Sequence, residues 1–481
     1  MSKKVPVPLN SKPYQNIDSV FLDDFSEELI DGYIDDGGDT LSRPGVQNSF
    51  ALGTGAPVTG AYWWENKNAT VFESEGLVFL VTEAEVVTQL NSAATVLTGT
   101  GERTIFCDNG DYLVAANGGV MIYTDGTANS AVVIVDGDAP AEVTHVAFID
   151  QYLLANEVGT GRFHFCSFIS APSAWRAVDV YTAESNPDNI ISLYVNNRII
   201  YIIGTQSLEF WFNDGTGPFS RMEGTLTSRG GMSPYSNCFV NENMFLFDDE
   251  RVLVYLNGTS PTPVSIPYEK TIQELSEVDD CIMDYVNYIG KRFLIITFPT
   301  ADRTFVYDVL GQYWCEWTYF DVGTDSRKRF LGNCYVYARS WNQHLFGSFQ
   351  VDQIMDMRES YTADNTSVIR FRKTTGFISH GAEDLGKRSY KLTLRLKRGQ
   401  GTGNGGNTMP YARFRWRDVV EGDLVWSTWR YIPLGTQGHR GFLYTMTELG
   451  TYYARQYQIE CSENVKFGMG VATETIDINE F

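Results

Sequence analysis

Histidine and cysteine are scarce in this 481-residue chain. The seven cysteines form no CxxC pair, and their odd number does not suit a complete disulfide framework. The five histidines are His145, His164, His344, His380 and His439. No two of them have a spacing that would place two imidazoles on one metal ion. We therefore expect buried, reduced thiols, no metal site and no cofactor.

Long apolar runs are also missing. The longest, such as Ile199–Ile203, are about the length of a β-strand and far short of a membrane span. The first ten residues contain Lys3, Lys4, Pro6 and Pro8, and no apolar stretch follows them. The sequence therefore predicts neither a signal peptide nor a membrane-spanning segment.

Positive charge is in short supply. Lys and Arg number 37 against 59 Asp and Glu, a formal net charge of −22, which argues against a protein that wraps nucleic acid by neutralising phosphates. The charge is unevenly spread, because residues 370–417 contain twelve basic and two acidic residues. That segment carries +10, so the remainder of the chain carries −32.

The 44 Gly, 27 Tyr and 29 Phe favour many short strands joined by tight turns. One unit recurs: an apolar strand, an Asn, Asp or Gly turn, a second apolar strand, a turn, and an aromatic-rich strand. Seven copies begin near Ala61, Ile105, Val146, Ser192, Cys238, Tyr285 and Tyr335. Their spacing of about 40–50 residues is that of propeller blades. We predict an all-β protein with a β-propeller of six or seven blades over residues 61–366.

Two further segments flank the repeats. Residues 1–60 are interpreted as an N-terminal arm, in which Pro44 biases Arg43 toward extended geometry suited to a strand that closes the ring. Residues 367–481 contain longer alternating strands and a Gly-rich hairpin, Gly399–Asn407, and they predict a β-sandwich.

The alternation in the sandwich predicts one cationic face. Its residues are Arg370, Arg372, Lys373, Arg395, Lys397, Arg398, Arg413, Arg415 and Arg417. Such a face could be a solvated surface, a DNA-contacting patch or a surface that docks on an acidic neighbour. We prefer the last, with subunits packing in a ring, because the rest of the chain is strongly acidic.

No catalytic motif stands out. The sialidase-type Asp-box, the Trp-Asp ending of WD40 blades and the double glycine of kelch blades are all absent from the sequence. Acidic residues are too abundant for any catalytic carboxylate pair to be singled out. We therefore expect no enzymatic activity, and consider a glycan-binding or glycan-cleaving propeller as the alternative function. A scaffold that binds peptides through the ring face is a third option.

Three stretches of the chain resemble a known family. They are Ala183–Gly215, Leu41–Val46 (LSRPGV) and Lys291–Trp317. In this order they resemble the tail nozzle, or packaged-DNA stabilisation, proteins of short-tailed bacteriophages. The residues that carry the match are Arg43, Pro44, Gly45, Glu184, Ser185, Pro187 and Asp188. We interpret Ser185, Pro187 and Asp188 as turn residues between blades.

The resemblance implies a virion component without catalytic activity, assembled in the host cytoplasm. It implies a homo-hexamer below the portal and its adaptor ring that extends the DNA channel and receives tail fibres or spikes. Double-stranded DNA would then pass through the lumen without sequence-specific binding. A channel that passes DNA rapidly should repel phosphates, so we predict that acidic side chains line the bore.

Overall fold

The computed structural model describes residues 2–13, 27–99, 103–183, 188–213, 215, 217–265, 268–382, 385–399, 409–419, 424–436, 438 and 441–479. Within these residues the chain is almost entirely β-structure. Its one α-helix, Glu269–Gln273, has five residues and is too short to cross a membrane. Two 3-10 turns span Pro8–Asn10 and Glu65–Lys67.

The strands are numbered in chain order. The first group is β1 Lys3–Val7, β2 Glu28–Ile30, β3 Gly32–Ile34, β4 Thr40–Ser42, β5 Gly45–Ala51, β6 Val58–Trp64, β7 Ala69–Ser74, β8 Leu77–Val81, β9 Val87–Gln89, β10 Ile105–Asp108, β11 Leu113–Ala116, β12 Ile122–Thr124, β13 Val132–Val133, β14 Val146–Ile149, β15 Tyr152–Asn156, β16 Arg162–Ser167, β17 Val180–Thr182, β18 Ile190–Asn196, β19 Ile199–Gly204, β20 Leu208–Phe212 and β21 Ser220–Arg221. The second group is β22 Asn237–Val240, β23 Asn243–Phe247, β24 Leu253–Asn257, β25 Ser260–Pro263, β26 Ile282–Tyr288, β27 Lys291–Phe298, β28 Arg303–Asp308, β29 Tyr313–Glu316, β30 Thr318–Asp321, β31 Ser326–Arg329, β32 Gly332–Ala338, β33 Gln343–Ser348, β34 Gln353–Arg358, β35 Ala363–Asp364, β36 Ser367–Val368, β37 Phe371–Thr374, β38 Gly386–Leu396, β39 Tyr411–Val419, β40 Arg430–Pro433, β41 Leu443–Thr447, β42 Thr451–Tyr452, β43 Ala454–Cys461 and β44 Gly468–Asn479.

The chain folds into two compact units. Unit 1 combines Met1–Gln47, Arg303–Phe330 and Arg358–Phe481, and unit 2 combines Asn48–Asp302 and Leu331–Met357. Unit 1 therefore draws on residues before and within the predicted propeller span, as well as on the predicted sandwich span. Sequence periodicity reports local strands and does not reveal such long-range pairing.

Unit 2 is a ring of short antiparallel sheets, which is the propeller predicted from the repeats. Strands β6–β9, β10–β13, β14–β17, β18–β21 and β22–β25 each form a four-stranded sheet in sequence order. The hairpin β26–β27 follows, and β32–β34 form the last sheet, whose fourth strand is β5. Each of the seven predicted repeat starts lies in the first strand of its sheet or hairpin.

The first strands of neighbouring sheets contact one another in a closed cycle. The order is β6, β10, β14, β18, β22, β26, β32 and back to β6. Between β18 and β22, for example, the Asn237 side-chain amide donates to Ser192 Oγ at 3.0 Å, and the rings of Tyr194 and Phe239 meet edge to face at 6.2 Å. The ring therefore closes through side-chain contacts around its axis.

Separate hydrophobic cores fill the spaces between adjacent sheets, and this explains the continuous apolar strands. In β19, Ile200 and Ile202 pack in the core shared with the preceding sheet, whereas Tyr201 and Ile203 pack in the core shared with the following sheet. Successive side chains point to opposite faces of a strand, so a strand buried on both faces loses its polar alternation. Burying each such isoleucine contributes about 1.5–3 kcal/mol.

Unit 1 is a β-sandwich. One sheet has the order β3-β4-β44-β38-β41, with β1 on β44 and β42 on β38. In unit 1 the other sheet has the order β28-β29-β2-β37-β43-β39-β40. Leu392 and Leu394 on β38, and Phe414 and Trp416 on β39, face the buried interior. The predicted alternation of β39 is therefore confirmed.

Candidate interaction sites

Arg43, from the LSRPGV stretch, is the centre of a buried ion cluster in unit 1. Its Nε donates to Asp31 Oδ1 at 2.9 Å and its Nη1 to Asp364 Oδ1 at 2.9 Å. The guanidinium also donates to the carbonyl oxygens of Pro44 at 3.0 Å and Thr318 at 2.6 Å. Burial opposes the charged form, but the carboxylates of Asp364 and Asp31 raise the pKa of Arg43 above its ordinary value. The arginine therefore holds three distant segments together.

The two residues that follow complete this cluster. Pro44 and Gly45 are both buried. The Gly45 amide donates to the carbonyl of Tyr361 at 2.9 Å, and an added Cβ at Gly45 would lie only 2.9 Å from the carbonyl carbon of Ala363. Because this approach leaves no room for a side chain, the motif RPG serves packing and charge satisfaction in unit 1.

Asp188 organises a turn in unit 2. Its carboxylate accepts a hydrogen bond from the Gln206 amide at 2.9 Å and lies 3.1 Å from Ser207 Oγ. The side chain is 9% exposed and lies against Gly204, where a Cβ would collide with it. Asp188 therefore bonds to the turn between β19 and β20, and its predicted role in a turn between blades stays a prediction. The remaining matched residues, Glu184, Ser185 and Pro187, lie outside the described residues, as does most of the Gly-rich hairpin.

The nine basic residues do not share one face. Arg395 and Lys397 lie exposed on and just after β38, in one sheet of unit 1, whereas Arg413 and its neighbours lie on β39 in the other sheet. Lys373 is completely buried, and its Nζ donates to Glu27 Oε1 at 3.1 Å. The prediction of one continuous cationic face is therefore wrong in its placement. Alternation identified the residues, but it could not assign them to sheets or reveal the buried partner of Lys373.

Three of these arginines alternate with two tryptophans. The guanidinium of Arg413 lies 4.4 Å from the ring centre of Trp429, and that of Arg415 lies 4.2 Å from Trp429 and 4.5 Å from Trp426. The guanidinium of Arg417 lies 4.7 Å from Trp426. We call these five residues the Arg-Trp ladder. Planar guanidinium groups stack well on aromatic faces, so the ladder holds residues 424–429 against β39.

Each ladder arginine also bonds to β43. Arg413 Nε donates to Glu460 at 2.6 Å, Arg415 Nε to Gln458 at 2.7 Å, and Arg417 Nε to Gln456 at 2.6 Å. Arg372 on β37 donates to the same Glu460 carboxylate. Arg370 is placed differently, with its guanidinium 3.0 Å from the ring centre of Phe320. The arginines of the ladder are therefore held in place by β43, and Arg413 shares the Glu460 carboxylate with Arg372.

An ion pair crosses the centre of unit 2. The Arg103 guanidinium, just before β10, is bonded to the Asp284 carboxylate on β26, and Arg103 Nη1 donates to the Met283 carbonyl at 3.2 Å. The two side chains are only 12% and 18% exposed. Strands β10 and β26 belong to sheets that are not neighbours in the ring. The pair therefore links opposite parts of the propeller near its axis.

Unit 2 also contains an open cavity of about 600 Å³ lined by its first strands, and we call it the axial cavity. Its walls come from β6, β26 and β32, the first strands of three consecutive sheets, and from the turn after β32 and the start of β33. Its aromatic lining consists of Tyr62, Trp63, Tyr285, Tyr335, Tyr337 and His344. None of the lining residues, all of which are described, carries a carboxylate.

His344 is uncharged near neutral pH and orders this lining. Burial lowers the pKa of His344 to about 4. Its Nδ1 lies 2.8 Å from Tyr335 Oη, and its ring stacks on Tyr337 at 4.7 Å and meets Tyr288 edge to face at 4.7 Å. The Tyr337 hydroxyl donates to Asn342 Oδ1 at 2.8 Å. The rings are therefore held in defined orientations.

Within the described part of the chain, no three His, Cys, Asp or Glu residues come together as a metal site. Six of the seven cysteines are buried, and Cys238 is half-buried. Burial raises the pKa of Cys166 to about 12, which keeps its thiol protonated and unreactive.

Comparison with known proteins identifies a family with this architecture. A family model described as bacteriophage P22 Gp10, beta-propeller, matches residues 34–361. The chain belongs to this family. It is therefore a structural protein of a phage virion, from a family that stabilises packaged DNA. The predicted resemblance and the predicted propeller are both confirmed.

Two solved structures resemble the chain only weakly. The extracellular domain of a one-component system from B. thetaiotaomicron has 9% identity and a TM-score of 0.45, covering 87% of this chain and 58% of its own length. The extracellular domain of a hybrid two-component system from the same organism has 11% identity and a TM-score of 0.45, with 80% and 47% covered. The chain thus spans about half the length of these structures. No curated protein sequence matches it significantly.

The family match includes the RPG motif, Asp188 and the axial cavity, but it ends before the Arg-Trp ladder. Sequence reasoning missed the Arg103–Asp284 pair, because nothing local links two residues about 180 positions apart. It also missed Trp426 and Trp429. Their spacing of three, in a segment beside an Arg-x-Arg-x-Arg strand, is the signal that could have identified the ladder.

Proposed function

We propose that the chain forms the tail nozzle of a short-tailed phage, a hexamer below the portal and adaptor ring that continues and closes the DNA channel. The proposal rests on one observation: residues 34–361 of this chain match the family model of a phage β-propeller protein. The role is structural and involves no catalysis.

The charge of the chain suits a DNA conduit. A net charge of −22 in each copy makes a ring of copies strongly negative, and a negative bore repels the phosphate backbone. DNA could then leave rapidly without being retained by contacts along the channel. We propose that Asp and Glu predominate on the bore, and a structure of the assembled ring with mainly Lys and Arg there would refute this.

Subunit contacts are proposed to use the exposed basic residues of unit 1. Arg395 and Lys397 are exposed on and just after β38, whereas the rest of the chain is acidic. Electrostatic complementarity of this kind favours association of each copy with an acidic surface of the next and fixes the direction of packing. The adaptor ring and the tail fibres or spikes would bind the remaining faces, and assembly would take place in the host cytoplasm.

Loss of packaged DNA tests this role directly. A phage defective in the gene for this chain, grown with and without a complementing copy, should package DNA in both cases. Without the chain, the DNA should become sensitive to nuclease and the heads should empty. If the heads instead stay full and nuclease-resistant, and the particles fail only to bind or degrade a host polysaccharide, the adhesin or depolymerase alternative holds and the nozzle role is wrong.

A further inference from the structure

We propose that the axial cavity of unit 2 is a saccharide-binding site that holds a sugar without cleaving it. The proposal rests on the cavity itself and does not depend on the nozzle role. A volume of about 600 Å³ lies within the range of small-ligand sites, which spans roughly 300–1,000 Å³. It would accommodate a short oligosaccharide rather than a single small ion.

The walls of the cavity are aromatic platforms that remain open to solvent. Tyr337 is 36% exposed, and Trp63 and Tyr335 are half-buried. Trp63 is fixed by an edge contact with Trp341, at 5.5 Å between ring centres, and by a hydrogen bond from its Nε1 to Glu65. Large rings held in this way offer contact area at a low cost in conformational entropy.

The edge of the cavity supplies polar groups. Asn287, Arg339 and Asn342 all line it and are exposed. The Asn342 amide oxygen accepts the Tyr337 hydroxyl, an arrangement that turns its amide nitrogen into a donor for a ligand. Ring faces bounded by amides and a guanidinium suit a pyranose, which presents an apolar face of C–H groups and a rim of hydroxyls. The hydroxyls of a sugar can accept hydrogen bonds from the donors at this edge, whereas a purely apolar ligand makes none with them.

Cleavage does not follow from this site. Hydrolysis of a glycosidic bond uses two carboxyl groups on either side of the bond. The described lining contains none, and the pKa of His344, lowered to about 4 by burial, leaves an uncharged ring whose Nδ1 already contacts Tyr335. The chemistry of the lining therefore supports retention of a sugar.

The test uses the purified full chain and its intrinsic tryptophan fluorescence, to which Trp63 and Trp341 contribute beside the cavity. The probes are glucose, galactose, mannose, rhamnose and N-acetylglucosamine, together with O-polysaccharide released from lipopolysaccharide. We expect saturable binding of at least one probe. Tyr337→Ala and Trp63→Ala should each weaken it about tenfold or more, whereas Tyr337→Phe, which keeps the stacking ring, should stay within about threefold.

Tyr431→Ala is the matched control, because Tyr431 is a 63%-exposed tyrosine of unit 1 and its removal should leave binding unchanged. Circular dichroism and the melting temperature establish that each variant folds. The proposal is overturned if no probe binds at about 10 mM, a concentration above the millimolar dissociation constants of weak sites. It is equally overturned if Tyr337→Ala leaves sugar binding unchanged. The same holds if peptides from a random library bind the cavity and none of the sugars does.

Discussion

Replacing Arg43 with methionine should disrupt the buried ion cluster and lower the free energy of unfolding of unit 1. The substitution keeps the apolar stem but removes the charge, so Asp364 loses its ion pair and retains only the Val46 amide at 3.2 Å. Asp31 is less affected, since it still accepts hydrogen bonds from the Thr318 amide at 2.7 Å and hydroxyl at 2.6 Å and pairs with Arg327 at 3.1 Å. Breaking a buried pair from one side costs about 3–5 kcal/mol.

Differential scanning calorimetry and region-resolved hydrogen exchange measure this loss. For a domain of roughly 150–250 residues, each kcal/mol lowers the melting temperature by about 2–4 °C, so we expect a fall of about 6–20 °C. Because the chain has two units, more than one transition can occur. Hydrogen exchange should accordingly show the loss of protection in residues 41–47 and 361–367, and unit 2 should be spared.

The pH dependence of this loss follows from Asp364. Burial already raises the pKa of Asp364, and losing Arg43 raises it further, so the neutral carboxyl is favoured in the folded variant. A folded pKa above the unfolded one gives stability that is present at low pH and lost as the pH rises. The difference between wild type and Arg43→Met should therefore be smaller at pH 5 than at pH 8.

A second substitution provides the control. Arg43→Met combined with Asp364→Asn leaves no charge unpaired at Asp364 and should recover most of the lost stability. A cost below about 1 kcal/mol for Arg43→Met, or no recovery in the double variant, would refute the claim that Arg43 serves mainly to neutralise buried carboxylates.

Three further predictions follow from the described contacts. Trp426→Ala should destabilise unit 1 by about 1–3 kcal/mol by removing the ring between Arg415 and Arg417, whereas Val425→Ala, at a 71%-exposed position, should change stability by less than about 0.5 kcal/mol in the same denaturant titration. Gly45→Ala should lower the melting temperature, because the added Cβ collides with the Ala363 carbonyl, and an unchanged melting temperature would contradict this prediction. Gly137→Ala is the control and should leave the melting temperature unchanged, because the space around its Cβ is open. Burial lowers the pKa of His145 to about 3, so protonation of its ring favours the unfolded chain. The stability that the neutral ring contributes above about pH 6.5 is therefore lost as the pH falls toward 3. His145→Gln should flatten that part of the stability-versus-pH curve by up to about 5 kcal/mol, and a curve as steep as that of wild type would count against it.

The propeller could be predicted from the sequence because its signal is local and repeated. Each sheet needs a strand, a turn and a strand within a few dozen residues, and strands such as β19 show burial on both faces in their composition. The burial of most of the cysteines was predicted correctly for the same reason, since their surroundings are set by neighbouring strands and turns.

The candidate sites depended on pairings that no local pattern encodes. From the alternation alone, Lys373 is predicted to be one more cation of the basic face. Only the fold shows that Lys373 is buried and paired with Glu27, 346 positions away in the chain. The axial cavity likewise gathers residues from three sheets. Alternation predicts which residues point the same way on one strand, and it carries no information on which strand lies opposite.

Electron microscopy of the purified chain mixed with its adaptor ring tests the central claim most directly. The nozzle account predicts sixfold rings seated on the adaptor, with a continuous channel along the axis of the assembly. Chains that remain monomeric at micromolar concentration and leave the adaptor bare would contradict it.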